Sequence, residues 1–172
     1  MSGKISIREM AESDCPDIVN AFTAQGWEKP LSQYLGYWQE HCAGARLVLV
    51  SELEGQFAGY VTIRWESDYP AFHAAGIPEI VDFNVLKKYQ RMHVGTALMD
   101  QAEQRISARS RVAGLGVCIF VDYGPAQVLY ARRGYVPDGR GVFQEGHYPL
   151  YGAQVRIDDD LVLYMTKRLR NE

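Results

Sequence analysis

Apolar and polar positions alternate over residues 4–10, with Ile5 and Ile7 apolar and Ser6 and Arg8 polar, and this period of two predicts a first strand. Ser13 and Asp14 are suited to cap a helix that runs to about residue 25 and stops at Gly26. Residues 31–42 read as a second helix, with Leu35 and Trp38 on one side. Two strands follow, 46–53 and 56–65, joined by the hairpin turn Glu54-Gly55. Residues 67–78, with two prolines and a glycine, read as a loop. From Glu79 the apolar positions Ile80, Val81, Phe83 and Val85 predict a fourth strand, which ends in the basic-polar turn Lys87-Lys88-Tyr89-Gln90-Arg91. Gly95 and Thr96 then open a helix in which Val94, Leu98, Ala102 and Ile106 fall four residues apart. Residues 115–121 read as a short buried strand, followed by a turn at Asp122-Tyr123-Gly124-Pro125 and a short helix through Ala126, Leu129 and Tyr130 to Gly134. A loop over 138–156 and a closing strand over 160–166 complete the chain. The pattern alone predicts a mixed α/β sheet with helices packed on it.

Composition narrows the function classes. A chain of 172 residues reads as one domain, 1–172, with 47% hydrophobic and 23% charged residues, as expected for a globular protein. A net charge of −3 gives no electrostatic case for nucleic acid or an anionic membrane as partner. Cys15, Cys42 and Cys118 are odd in number and widely spaced, so neither a disulfide framework nor a metal site is expected. The opening residues lack an apolar signal-peptide core, and no apolar run reaches membrane-spanning length, so the expected location is the cytoplasm.

The chemistry concentrates in residues 79–102. Unpaired N–H groups at a helix start carry partial positive charge and accept a phosphate without dedicated side chains. The turn here lacks the glycine, lysine and hydroxyl order of a nucleotide P-loop. It resembles instead the coenzyme A pyrophosphate motif of the GNAT N-acetyltransferase superfamily, Arg/Gln-x-x-Gly-x-Gly/Ala, with Gln90 first, His93 at the first glycine and Gly95 at the second. Histidine tolerates a left-handed backbone better than most residues, though less freely than glycine. Either the helix starts here with regular geometry, or His93 lends the phosphates a donor. A second segment, GPAQVLYARRGYVPDG, is similar to the other GNAT signature, with Leu129-Tyr130 followed by Gly134-Tyr135. Tyr123 stands where family members often have a pantetheine-binding asparagine.

The resemblance implies the GNAT fold, a central and mostly antiparallel sheet with elements in the order β-α-α-β-β-β-α-β-α-β and a V-shaped splay between the fourth and fifth strands. Acetyl-CoA is the implied acyl donor. Its pantetheine arm would pair with the strand edge around Phe83 and Val85, where the Val85 backbone holds an amide or neighbouring N–H groups polarise the thioester carbonyl. The N–H groups of Val94, Gly95 and Thr96 would meet the pyrophosphate, with Gln90 and Arg91 beside it; Lys87, Lys88 and Arg91 read equally as a solvated basic turn.

Direct transfer needs a base for the amine and an acid for the departing thiolate. Glu79, sixteen residues before Gly95, falls where the superfamily's histone acetyltransferases carry a catalytic glutamate. Asp82 competes, but an ideal strand points it to the face opposite Glu79. Tyr130 is the implied acid, its phenol well matched to a thiolate. Cys118, mid-strand with no nearby histidine, reads as inert. Aromatic residues (Trp27, Tyr34, Tyr37, Trp38, then Trp65, Tyr69 and Phe72) crowd the regions that line the family's acceptor cleft, and Phe143, His147, Tyr148 and Tyr151 in the 138–156 loop suggest a cover. His147 and His73 are alternative bases, and Asp158-Asp159-Asp160 could attract an amine. The expected function is N-acetylation of a small-molecule amine. A protein or peptide amine as acceptor, and a non-catalytic acyl-CoA-binding module, are the other readings. Analogy to the family leaves a homodimer open.

Overall fold

The computed structural model describes residues 3–169. Its strands are β1 (Ile5–Glu9), β2 (Arg46–Leu53), β3 (Gln56–Arg64), β4 (Glu79–Val85), β5 (Val112–Cys118), β6 (Val136–Phe143) and β7 (Val162–Arg168). The helices are α1 (Asp14–Ala24), α2 (Leu31–Cys42), α3 (Pro70–Ala75), α4 (Val94–Ser107) and α5 (Gly124–Arg132). The strands form one sheet in the order β1-β2-β3-β4-β5-β7-β6, antiparallel except for β4 and β5. Among the described residues no helix is long and apolar enough to cross a membrane.

Two apolar cores sandwich the sheet. On one face α4 buries Val94, Leu98, Met99, Ala102 and Ile106, the four-residue stripe legible in the sequence, against alternate residues of β2 to β5. On the other face α1 and α2 bury Ile18, Phe22 and Tyr34 against Val48, Val50 and Tyr60. Full burial of each such side chain contributes roughly 1.5–3 kcal/mol, which fixes the helices to their faces. The start of α1 is held by Asp14 rather than Ser13. The Asp14 carboxylate accepts the Ala11 N–H at 2.7 Å and a two-pronged bond from the Arg8 guanidinium. That pair holds Asp14 below the usual carboxylate range, against the upward push of burial.

Three elements depart from the sequence reading. The 67–78 loop contains α3, a short helix started by Pro70 and ended by Gly76 in the left-handed conformation. The fifth strand lies three residues earlier than expected, at 112–118. The expected continuation (Ile119 and Val121) is exposed, so apolar character there does not mark the buried strand. The start of the 138–156 loop is part of strand β6, whose pairing with β7 is interrupted between Pro137 and Val142, around Gly139 and Gly141. A proline and two glycines in eight residues conceal a strand from period-two reading.

Candidate active site

β4 and β5 pair at two positions only, Glu79 with Gly114 and Ile80 with Leu115. Beyond these the strands part, leaving the β4 edge from Val81 to Val85 without a strand partner on that side. The Leu86 N–H bonds the Ala58 carbonyl of β3 at 2.9 Å, so by alternation the N–H and C=O of Val85 point into the gap. The Gln90 side-chain amide reaches the Val85 carbonyl at 3.4 Å, which ties the following turn to this strand edge.

The turn is built on left-handed residues. Arg91 has φ 62° and His93 φ 64°, with His93 at the N-cap of α4. The helix therefore does not start with regular geometry: histidine adopts the conformation that favours glycine, which presents the backbone N–H groups with or without a part for the imidazole. Backbone turned this way gathers successive N–H groups into a concavity, and the N–H groups of Val94, Gly95 and Thr96 at the helix start have no intrahelical acceptor. Gly95 lets the helix start pack closely on β4. A Cβ there would lie 3.1 Å from the Phe83 ring and 3.7 Å from Val85 Cγ2, so the helix start rests directly on the β4 residues at the gap. Phe83, Val85, Gln90, Arg91, Val94, Gly95 and Thr96 are thus brought to one end of the splay. Lys87 and Lys88 are exposed on the turn before it.

Tyr130 on α5 lies on the same face as α4, within the apolar core and beside Cys118 at the end of β5. Burial pushes its phenol well above the usual tyrosine range, with Cys118 adding to the shift. Its hydroxyl has no hydrogen-bond partner among the described residues. The Cys118 thiol is also pushed up by burial, consistent with an inert, protonated cysteine.

Glu79 occupies the opposite face. It is opposite Arg64, itself opposite Arg46, so three charged side chains form a row across β4, β3 and β2. Glu79 is buried and accepts a hydrogen bond from the Ser67 hydroxyl. Burial raises its pKa above the usual glutamate value, and Ser67, Arg64 and Arg46 partly offset the rise.

Asp82 does not point away from Glu79 as an ideal strand would place it. Thr62 pairs with Val81 and Tyr60 with Asn84, so Val61 alone faces both Asp82 and Phe83, a β-bulge with Asp82 at φ 51°. The extra residue brings Asp82 and Asn84 to the Glu79 face. There the Asp82 carboxylate accepts Tyr60 at 2.6 Å, Tyr37 at 2.9 Å, Gln33 at 3.1 Å and Asn84 at 2.5 Å. A carboxylate so fully engaged is an organising centre rather than a free base.

The aromatic residues divide into groups. Tyr34, Tyr37, Tyr60, Phe22 and Trp27 surround the Asp82 region. Tyr69 stacks on Tyr164 at 3.6 Å, with Phe72, Phe143 and Tyr148 around the pair, and its hydroxyl donates to Asp138 at 2.7 Å. This second group packs over the glycines of β5: a Cβ on Gly114 would collide with the Phe72 ring at 2.3 Å. Trp38 stacks on His41, and Trp65 carries Arg109 over its ring at 4.0 Å beside a separate cavity of about 350 Å³. Neither joins the two groups. Tyr151, His147 and His73 are exposed, so Tyr151 provides no cover. Asp158 and Asp159 accept bonds from Gln144 and Tyr123.

Sequence reasoning missed Ser67, Arg46, Tyr60 and Tyr164, for which it offered no motif. The bulge did leave a signal: Ile80 and Phe83 both face α4, and an odd spacing of three between them is incompatible with a straight strand. Among the described residues no group of three or more histidines, cysteines or carboxylates is placed to hold a metal.

The family model described as Acetyltransferase (GNAT) family matches residues 7–135. No curated protein matches the chain in sequence. Among solved structures, a Salmonella typhimurium protein assigned as an acetyltransferase and solved with its cofactor acetyl-CoA aligns with a TM-score of 0.68 at 18% identity, covering 98% of this chain and 95% of that one. The ribosomal-protein-S18-alanine N-acetyltransferase from Escherichia coli aligns at 0.69 and 14% identity, covering 98% and 96%. An N-acetyltransferase from Staphylococcus aureus Mu50 gives 0.69 and 13%, covering 97% and 99%. At such identities the likeness is one of fold.

Proposed function

The chain belongs to the GNAT acetyltransferase family and is an acyltransferase, and we propose that it moves the acetyl group of acetyl-CoA to the primary amine of a small molecule by direct attack in a ternary complex. The observation that carries this reading is the splay itself. It opens a window through the sheet with the α4 turn and Tyr130 on one face and Glu79 on the other.

The residues fit the coenzyme. The left-handed turn and the start of α4 offer N–H groups to a pyrophosphate, and Gly95 lets that helix start sit close against Phe83 of β4. The inward-facing N–H and C=O of Val85 suit an extended amide chain, which would add to β4 as a strand does. When bound, acetyl-CoA supplies an activated acyl group as a thioester. Glu79, from the other face, accepts the proton of the attacking amine, directly or through water; its raised pKa brings it nearer the basicity that task needs. Tyr130 keeps its proton throughout the physiological range and donates it to the departing sulfur. Buried and protonated, Cys118 takes no covalent part.

Thermal unfolding with millimolar acetyl-CoA, against adenosine diphosphate as control, tests the coenzyme site. A Kd of about 10 μM and a hundredfold excess would stabilise the protein by roughly 2.7 kcal/mol, and for a chain of this size that raises Tm by roughly 5–10 °C. No shift would overturn the reading. A protein amine as acceptor draws support from the exposed 150–157 segment, where Leu150 and Tyr151 are almost wholly in solvent. Acetylation of a mixed lysine-peptide library, with small amines inert, would select that alternative.

A further inference from the structure

The Glu79 face of the window holds a cation whose donors are mostly unused. Lys29 lies in the connection between α1 and α2, and its side chain is 15% exposed. Its ammonium is 5.1 Å from the centre of the Phe22 ring, 5.3 Å from Trp27 and 5.7 Å from Tyr60. Among the described residues it makes one hydrogen bond, to the Tyr60 hydroxyl at 3.2 Å. The nearest carboxylate, Asp82, forms an ion pair with it across 3.8 Å, beyond hydrogen-bond reach.

Asp82 takes its hydrogen bonds from elsewhere: Tyr60, Tyr37 and Gln33 donate to one oxygen and Asn84 to the other. An ammonium has three donors, so two N–H bonds of Lys29 remain free in a mostly buried place. Aromatic faces stabilise the charge but do not engage those bonds. N–H donors left free in a sheltered place are costly unless an acceptor engages them, and a carboxylate is the strongest such acceptor. Arg46 and Arg64, the cations in line with Glu79 on this face, are hydrogen-bonded to Glu40 and Asp68.

We propose that Lys29 binds a carboxylate on the acceptor, so that the acceptor is a small amino acid whose amine extends along β4 toward Glu79. This inference rests on the acetyltransferase reading above. Glu79 and Asp82 are three positions apart on one face, on the order of 10 Å at strand rise. That span suits an acceptor with two or more carbons between amine and carboxylate.

The test is the rate of thiol release from acetyl-CoA with paired amines: glycine, β-alanine, γ-aminobutyrate and L-glutamate, each beside its carboxamide counterpart. The carboxylates are expected to lead in kcat/KM by at least tenfold, with the longer spacings ahead of glycine. Lys29→Gln should erase that preference through KM with kcat little changed, and Lys29→Arg should retain most of it. Equal reaction of the carboxamides, or a preference that survives in Lys29→Gln, overturns the proposal. So does failure of every carboxylate-bearing amine in a protein that acetyl-CoA still stabilises, an outcome that leaves the acetyltransferase reading standing. If Lys29→Gln unfolds, Lys29→Met, which removes the charge and keeps the apolar stem among the rings, takes its place with the same expected loss of preference. Absence of acetyl-CoA stabilisation would remove both.

Discussion

Replacing His93 separates what the α4 turn needs from its backbone and what it needs from a side chain. His93 holds φ 64°, and its side chain is exposed with no hydrogen bond among the described residues. The left-handed conformation costs an L-residue roughly 1–2 kcal/mol, and histidine lies toward the lower end. Glycine removes this cost but gives back roughly 0.5–1 kcal/mol through the greater freedom of the unfolded chain. His93→Gly should therefore stabilise the protein by about 0.5 kcal/mol, a rise in Tm of roughly 1–2 °C. His93→Val, β-branched at a positive φ, should lower Tm by roughly 3–6 °C. The decisive assay repeats both melts with acetyl-CoA. If backbone N–H groups hold the pyrophosphate, the coenzyme-induced rise in His93→Gly matches wild type. A fall in Tm for the glycine variant would refute the conformational argument. Loss of the acetyl-CoA shift alone would instead give the imidazole a direct role as donor.

Tyr130→Phe removes a hydroxyl with no hydrogen-bond partner among the described residues, so Tm should stay within about 1 °C while kcat falls roughly 100-fold or more if protonation of the thiolate limits turnover; a loss under fivefold would return Tyr130 to a packing role. Glu79→Gln should lower kcat/KM by roughly 100-fold or more and remove its acid limb, which in wild type should lie above the ordinary glutamate pKa of about 4.3 because burial raises it. The linkage has the matching sign: with the folded pKa raised, the native state holds the extra proton, and stability declines as pH rises from the unfolded value through the folded one. Melts of Glu79→Gln across that window should lose the decline, and an unchanged slope would contradict the raised pKa. Asp82→Ala leaves Tyr60, Tyr37, Gln33 and Asn84 without their acceptor and should cost about 3 kcal/mol. Denaturant melts should show that loss, and one below 1 kcal/mol would mean the network is not organising.

Much of the fold was legible because its strongest elements obey single periods. The α4 stripe repeats every four residues and is buried at each position, and the β2–β3 hairpin turns at Glu54 and Gly55, both at positive φ. What escaped obeys tertiary rules instead. β6 carries Pro137, Gly139 and Gly141 and is a strand because β7 pairs with its two ends. α3 is six residues long, too short for a period, and is held by Phe72 seated over Gly114. Residues 119–121 looked like strand because they are apolar, yet the sheet ends at Cys118 and leaves Val121 in solvent.

The candidate site was legible on its coenzyme face and opaque on its acceptor face for a physical reason. Phosphate binding at a helix start depends on backbone groups and glycine, which leave a local motif; His93 disturbs the motif but preserves the left-handed turn. The acceptor face is assembled from side chains of α2, β3, β4 and their connections, and one inserted residue decides it. Without the bulge opposite Val61, either Asp82 would join Ile80 under α4 while Phe83 and Val85 faced away, or Glu79 would join Phe83 and Val85 there while Ile80 faced away. The bulge keeps these apolar residues under α4 and turns the carboxylate to Tyr60 and Tyr37. That choice also sets Asp82 3.8 Å from the Lys29 ammonium, so the charges on this face are arranged by a backbone irregularity rather than by any motif.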